Sequence, residues 1–242
     1  MDPGFRSPLI DFFRRGEVAR DVRLLAAQGA LAPRAHEQLA LLVLLSDDPD
    51  PQVARATRET LDTLPEEPLR AYLGRSDVTA EIRAFFAARG IVPSGGAPLE
   101  TDDPLVDTLD EIPDAPAEQD PGHKLLSSLP VIERMKLAMK GTREQRAQLV
   151  RDSNKLVAAA VLSSPKLTDA EVEAFTKMGN VSEDVLRVIG TNRGWTKNYG
   201  VIAGLCRNPK TPPAISMQIA QRLNERDLKM MEREMNVYTP PK

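Results

Sequence analysis

The sequence predicts an all-α protein, organised as two helical blocks joined by an acidic linker. Its 242 residues are rich in Ala and Leu, which favour helices, and aromatic residues make up only 4% of the chain. Apolar positions recur at helical spacing, and no long run alternates with the period of two that a half-buried strand requires. The core must therefore be built from aliphatic side chains.

Charge divides the chain into three parts. Residues 1–90 carry 12 basic and 14 acidic side chains, residues 91–120 carry 9 acidic and no basic ones, and residues 121–242 carry 20 basic and 12 acidic ones. Every basic residue before position 121 is an arginine, and lysine first occurs at Lys124. We therefore predict an N-terminal helical block, an acidic linker and a basic C-terminal block with these boundaries.

The N-terminal block, residues 1–90, is predicted to contain short helices with recognisable ends. Gly29 and Gly90 each follow an apolar helical pattern, and glycine ends helices because it tolerates a left-handed conformation. Pro51 suits the first turn of a helix, and Asp77 is the expected cap of the last one. The predicted helices cover residues 9–15, 18–28, 34–45, 51–64, 68–73 and 78–89.

Residues 91–120 are predicted to form a flexible linker, because they combine many prolines with an excess of acidic charge. One segment within it, DPLVDTLDEIPD, would place Leu105, Leu109 and Ile112 on one face of a helix. One hypothesis is that this motif folds on binding as a short acidic helix and docks on the basic C-terminal block or on a partner. The alternative is a solvated spacer.

The C-terminal block, residues 121–242, has clear helix starts. Thr168 and Glu171 fit a capping box, in which the threonine accepts from the third N–H and the glutamate reaches back. Ser182 is expected to cap the following helix. The predicted helices cover 130–139, 142–150, 154–162, a segment after Thr168, 183–189, 197–206, 212–222 and 225–234.

Internal similarity indicates a repeat. VAAAVLSSPKLTDAEVEAF, which begins at Val157, matches VIAGLCRNPKTPPAISMQI, which begins at Val201, and a weaker copy, LLSDDPDPQVARAT, begins at Leu44. This pattern resembles the HEAT and armadillo class of α-solenoids over residues 34–90 and 121–239. RDSNKLVAAAVLSSPKLTDAEV, TNRGWTKNYG and RNPKTPPAIS are also similar to an uncharacterised bacterial family of HEAT-like proteins. The resemblance implies the fold and a bacterial cytoplasmic setting, but no activity. An irregular bundle with chance similarity is the alternative.

The end of the chain resembles the start of another helix. Asn236-Val237-Tyr238-Thr239-Pro240 is similar to the start at Asn180, yet the sequence stops at Lys242. Either the sequence is truncated within a repeat, or the solenoid ends without a capping helix, which would expose an apolar face. We therefore expect self-association through this end of the chain.

Few side chains point to catalysis or to metal binding. Neither His36 nor His123 has a histidine or cysteine at metal-ligand spacing, and the sole cysteine, Cys206, fits a structural role on an apolar helix face. The sequence has no glycine-rich phosphate loop and no apolar run long enough to span a membrane. We expect a cytoplasmic, non-catalytic protein without metal or cofactor.

The sole tryptophan marks the candidate binding surface. This surface comprises Arg187, Arg193, Trp195, Lys197, Tyr199, Arg207 and Lys210. Basic groups beside stacking aromatic rings suit nucleic acids or acidic peptides. Alternatively, Trp195 and Tyr199 pack in the core between successive repeats.

These features favour a scaffold or adaptor that binds another protein or peptide along the concave surface of the C-terminal block. The first alternative is nucleic-acid binding by the same basic block. The second is an enzyme similar to helical-repeat DNA glycosylases. It would need a carboxylate beside an aromatic-lined pocket, which the sequence does not locate.

Overall fold

The computed structural model describes residues 7–32, 34–94, 101–106 and 126–237, without the side chains of 232–237. These residues form fourteen α-helices and two short 3-10 helices and contain no strand, which confirms the predicted all-α class. Within the same ranges, no helix is both long and apolar enough to cross a membrane.

Six helices form the N-terminal block, and each lies close to a predicted one. They are α1 to α6, which span Pro8–Arg14, Arg20–Ala27, Ala35–Leu45, Pro51–Asp62, Glu66–Leu73 and Ala80–Ala87. Gly29 and Gly90 both have a φ of 79°, so glycine is needed where the chain leaves α2 and α6.

Eight helices form the C-terminal block, after a 3-10 turn at Leu126–Ser128. They are α7 to α14, which span Val131–Lys140, Arg143–Leu149, Lys155–Leu162, Asp169–Lys177, Glu183–Thr191, Tyr199–Arg207, Pro213–Ala220 and Glu225–Val237. A second 3-10 helix, Trp195–Lys197, precedes α12 and contacts both α11 and α12.

The helix caps agree with the sequence at two places and differ at a third. Thr168 and Glu171 form the expected capping box, and Ser182 caps α11. The expected cap Asp77 is wrong, because its carboxylate is bound by Arg75 at 2.6 Å. Thr79 instead caps α6.

One hydrophobic core extends from the first block into the second. Helix α1 packs against both α3 and α9, so Leu9 and Phe13 share a cluster with Val157. Burying each such side chain stabilises the fold by about 1.5–3 kcal/mol. A smaller second core gathers side chains of α3, α5 and α6 around Leu39 and Tyr72. The two blocks are therefore in contact, and the boundaries at 90 and 121 stay predictions.

A similar turn precedes α4 and α9. Before α4, Asp48 accepts from the N–H two residues later at 2.9 Å, and Arg23 of α2 binds the same carboxylate at 2.9 Å. Before α9, Asp152 accepts from the N–H two residues later at 2.8 Å, and Arg134 of α7 binds that carboxylate. In both blocks, an arginine–aspartate pair therefore links the turn before a helix to the second helix before that turn.

Candidate functional site

A cleft of about 520 Å³ lies between α10, α12 and the start of α14. We call it the α12 groove. Its lining consists of Glu173, Thr176, Lys177, Gly179, Tyr199, Gly200, Ala203, Gly204, Arg207, Asn208, Pro209 and Asp227. The volume falls in the range of binding pockets in proteins, about 300–1,000 Å³.

Two glycines of α12 face α10, and one of them allows the two helices to approach closely. Gly200 and Gly204 lie one helical turn apart on α12, on the side that faces α10. A Cβ atom on Gly204 would collide with the side chain of Thr176, and one on Gly200 would collide with the carboxylate of Glu173. The absence of a side chain at Gly204 lets α10 lie close to the α12 backbone, whereas the Glu173 carboxylate is the flexible end of a side chain and does not limit the helix spacing at Gly200.

Asn208 joins the C-terminal ends of α10 and α12. Its Nδ2 donates to the carbonyl oxygens of Thr176 at 2.8 Å and Met178 at 3.0 Å, while its Oδ1 accepts from the N–H of Lys210 at 3.0 Å. This side chain is buried, so its hydrogen bonds are made away from water. The Asn208 side chain therefore fixes one end of the groove through three hydrogen bonds.

Charged groups line the rim of the groove in pairs. Arg207 donates to Asp227 Oδ1 at 2.9 Å, and the Tyr199 hydroxyl donates to Asp227 Oδ2. Lys177 pairs with Glu173 at 2.6 Å. The hydrogen bond from Tyr199 is the main reason that the pKa of Asp227 is lowered, and Arg207 acts in the same direction. That same bond raises the pKa of Tyr199.

The structure brings two of the seven predicted surface residues, Tyr199 and Arg207, to the groove. Lys210 lies beside it through its main chain. Arg187 points elsewhere and pairs with Glu183 on α11. Arg193 and Lys197 are exposed before α12, Arg193 in the turn after α11 and Lys197 at the end of the second 3-10 helix.

The two aromatic residues of this surface have different environments. Trp195 is half-buried against the main core, as the core-packing alternative predicts. Tyr199 is 41% exposed at the rim of the groove. The candidate binding surface stays a prediction, and the sequence did not distinguish the half-buried Trp195 from the exposed Tyr199.

The acidic residues on the rim of the α12 groove were not predicted from the sequence. Asp227 lies 28 residues beyond Tyr199 in sequence. The only local signal was Asn224, whose Oδ1 accepts from the Asp227 N–H at 2.8 Å and so orders the start of α14. Glu173 and Lys177 have the i,i+4 spacing of a helical ion pair, which the sequence did show.

Leu105 of the predicted linker motif contacts the N-terminal block. Leu105 and Val106 pack against the second core, and residues 101–106 contain no helix. The expected unstructured linker is therefore not confirmed over these six residues. Leu109 and Ile112 lie outside the described residues, so the docking of the whole motif stays a prediction.

The exposed large apolar side chains include three on α13 and α14: Met217, Leu228 and Met230. Met217 is the most exposed, at 73%. The expected exposed apolar end of a solenoid also stays a prediction. Self-association through it stays a prediction.

Groups suited to metal or acid–base chemistry are sparse in the described part of the chain. There, no cluster of three or more His, Cys, Asp or Glu side chains is arranged to hold a metal ion. Burial lowers the pKa of His36, whose Nδ1 lies 3.2 Å from the Tyr72 hydroxyl. Burial also raises the pKa of the half-buried Cys206 thiol.

No family model matches the chain, and neither a curated protein nor a solved structure matches it. The resemblance to HEAT-like proteins therefore stays a prediction. Any function has to be argued from the geometry of the α12 groove.

Proposed function

We propose that this protein is a non-catalytic scaffold that binds an extended segment of another protein in the α12 groove. The observation that carries the proposal is the rim, where two cation–carboxylate pairs and the exposed ring of Tyr199 surround a floor of small residues. An extended peptide offers N–H and C=O groups to such charges, and its side chains can pack on the tyrosine ring.

The scaffold that we propose is a HEAT-like α-solenoid. In support, α9 and α12 begin 44 residues apart, at Lys155 and Tyr199. Each is capped by an asparagine, Asn154 or Asn198, and each packs on the helix two places earlier. Stacked repeats of this kind form a continuous surface to which α10, α12 and α14 would contribute the groove.

The pairing of charges favours a protein partner over nucleic acid. Lys155 pairs with Asp184 at 2.7 Å, Arg187 with Glu183, and Arg207 with Asp227 at 2.9 Å. Each pair reduces the positive potential that would attract phosphates.

The state of Asp227 favours binding over catalysis. Both of its oxygens are engaged, by Tyr199 and by Arg207, and its pKa is lowered. A carboxylate in this state is a poor general acid or base near neutral pH.

The test is a selection of displayed random peptides against the full chain, followed by affinity measurement on variants. We expect the double variant Tyr199→Ala/Arg207→Glu to bind the selected peptides at least about tenfold more weakly, which corresponds to about 1.4 kcal/mol. Arg143→Glu is the control, because Arg143 is exposed at the start of α8, outside the groove.

Selected peptides that bind the double variant as tightly as the wild-type chain would refute the groove as the binding site. Retardation of duplex DNA at low salt that is abolished by Arg207→Glu would favour the nucleic-acid alternative instead.

A further inference from the structure

Residues 101–106 lie across the N-terminal block, and their main chain is held by groups of the block. The Ala35 N–H, in the first turn of α3, donates to the carbonyl oxygen of Asp102 at 2.9 Å. Arg75 donates through Nη1 to the carbonyl oxygen of Thr101 at 3.0 Å. Both contacts use carbonyl groups, so they do not depend on the side chains of the bound segment.

Gln38 of α3 holds the other end of this segment. Its Oε1 accepts from the N–H groups of Leu105 at 2.8 Å and Val106 at 3.1 Å. Its Nε2 donates to the carbonyl oxygen of Val106 at 2.6 Å and to that of Gly29 at 2.9 Å. One carboxamide therefore contacts both sides of the segment's main chain and is itself anchored to the end of α2.

Side chains of the segment add selectivity at two places. Asp102 lies 3.6 Å from the guanidinium of Arg75, which Asp77 holds in position at 2.6 Å. Leu105 and Val106 pack against the second core. The surface therefore recognises an acidic residue followed, after two positions, by two adjacent aliphatic residues.

Burial is unequal on the two sides of this contact. With the segment in place, Gln38 is 1% exposed and Ala35 is fully buried, and the Gly29 carbonyl holds the Gln38 carboxamide from the side of the block. None of residues 101–106 is fully buried, and Thr101 and Asp103 are exposed. If the segment left, the Gln38 carboxamide and the Ala35 N–H would lose these hydrogen bonds and become uncovered, and another extended segment would restore both the bonds and the cover.

We propose that this surface is a docking site for an extended segment of another protein, with an acidic residue three positions before an adjacent pair of aliphatic residues. Residues 101–106 are a built-in ligand that occupies the site until such a partner displaces them. The site lies on the N-terminal block and is independent of the α12 groove.

The test uses a fluorescent synthetic peptide with the sequence of residues 100–107, ETDDPLVD, and the full chain. The variant Asp102→Ala/Leu105→Ser weakens the built-in ligand, and we expect it to bind the peptide at least about tenfold more tightly than the wild-type chain, because an intramolecular competitor is removed. Adding Gln38→Leu to this variant should abolish the gain. Tyr199→Ala/Arg207→Glu should leave peptide binding unchanged, which separates this site from the α12 groove.

A second measurement uses the wild-type chain and does not depend on the folding of any variant. With saturating peptide, amide hydrogen exchange should become faster at Leu105 and Val106, which are displaced, while Ala35 stays protected by the incoming segment. Continued protection of all three amides would overturn the proposal and identify residues 101–106 as a permanent structural tie. Failure of the peptide to bind the weakened variant, with helical content unchanged, would overturn it as well.

Discussion

The two blocks each bury a glutamate almost completely. Comparing the two side chains shows how the partners of a buried carboxyl determine its pKa. Glu171 in the C-terminal block is 2% exposed, and Glu37 in the N-terminal block is 1% exposed. Glu171 is bound by two nitrogens of Arg146, at 2.8 and 3.0 Å, and by Thr168 through its capping box. Burial by itself would raise the pKa of Glu171, but these bonds together lower it.

Glu37 is surrounded by weaker partners. Burial raises its pKa, and the hydroxyls of Ser7 and Ser163 and the charge of Arg34 oppose this only in part, while Asp102 adds to it. Its Oε2 is buried without a hydrogen-bond partner. Because Ser7 precedes α1 and Ser163 follows α9, this carboxyl lies where the two blocks meet. Burial alone raises the pKa of both glutamates, and the difference in their partners makes the net shifts opposite.

The opposite pKa shifts of Glu171 and Glu37 predict that the two side chains change the stability of the fold with pH in opposite ways. The folded pKa of Glu171 is below the ordinary 4.5, so its stabilising contribution is present above pH 4.5 and is lost as pH falls through the lowered value. The folded pKa of Glu37 is above 4.5, so its contribution is greatest below pH 4.5 and declines as pH rises through the raised value.

The largest effect is expected when the paired glutamate loses its partner. Arg146→Leu leaves the carboxylate of Glu171 buried without its cation, and we expect it to lower the free energy of unfolding by about 3–5 kcal/mol. Urea denaturation at neutral pH measures this change. Arg143→Leu, at an exposed position of the same helix, is the control and should change stability little. Equal effects of the two variants would contradict the role assigned to the buried pair.

A smaller change, this time a gain of stability, is expected when the charge of Glu37 is removed. Glu37→Gln removes the charge that burial disfavours and should raise the free energy of unfolding at neutral pH by about 1–3 kcal/mol. The gain should shrink as pH falls toward 4.5, because the wild-type carboxyl then becomes protonated. Urea denaturation across this pH range, with Glu144→Gln as an exposed control, measures both. A gain that is independent of pH would show that the charge of Glu37 is not its cause.

The smallest effect concerns the close approach of α10 and α12. Gly204→Ala would push a methyl group into Thr176, at a cost of about 1–3 kcal/mol for overpacking. The higher helix preference of alanine returns about 0.5–1 kcal/mol, so we expect a net loss of about 1–2 kcal/mol. Thermal unfolding measures the loss. Gly179→Ala is the control for steric overlap, because a Cβ there meets open space and the residue lies between α10 and α11, where helix preference does not contribute. Equal stability of the two variants would mean that the spacing of α10 and α12 is not set by Gly204.

The sequence by itself determined the local structure. The existence of all fourteen helices could be predicted, because hydrophobic spacing and capping residues act within a few positions. Thr168 with Glu171 and Ser182 are caps whose partners lie three residues away. The neighbourhood of Tyr199 was also visible, because its basic residues are close in sequence.

Only the tertiary structure decided which polar groups are buried and what they meet. Glu37 and Gln38 lie side by side in sequence as ordinary polar residues, yet both are buried, because α3 is packed by α1, α2, α4 and α6. Gln38 then meets Val106, 68 residues away, and Tyr199 meets Asp227, 28 residues away. Such contacts depend on how whole helices lie against one another, and no pattern within a few residues specifies that arrangement.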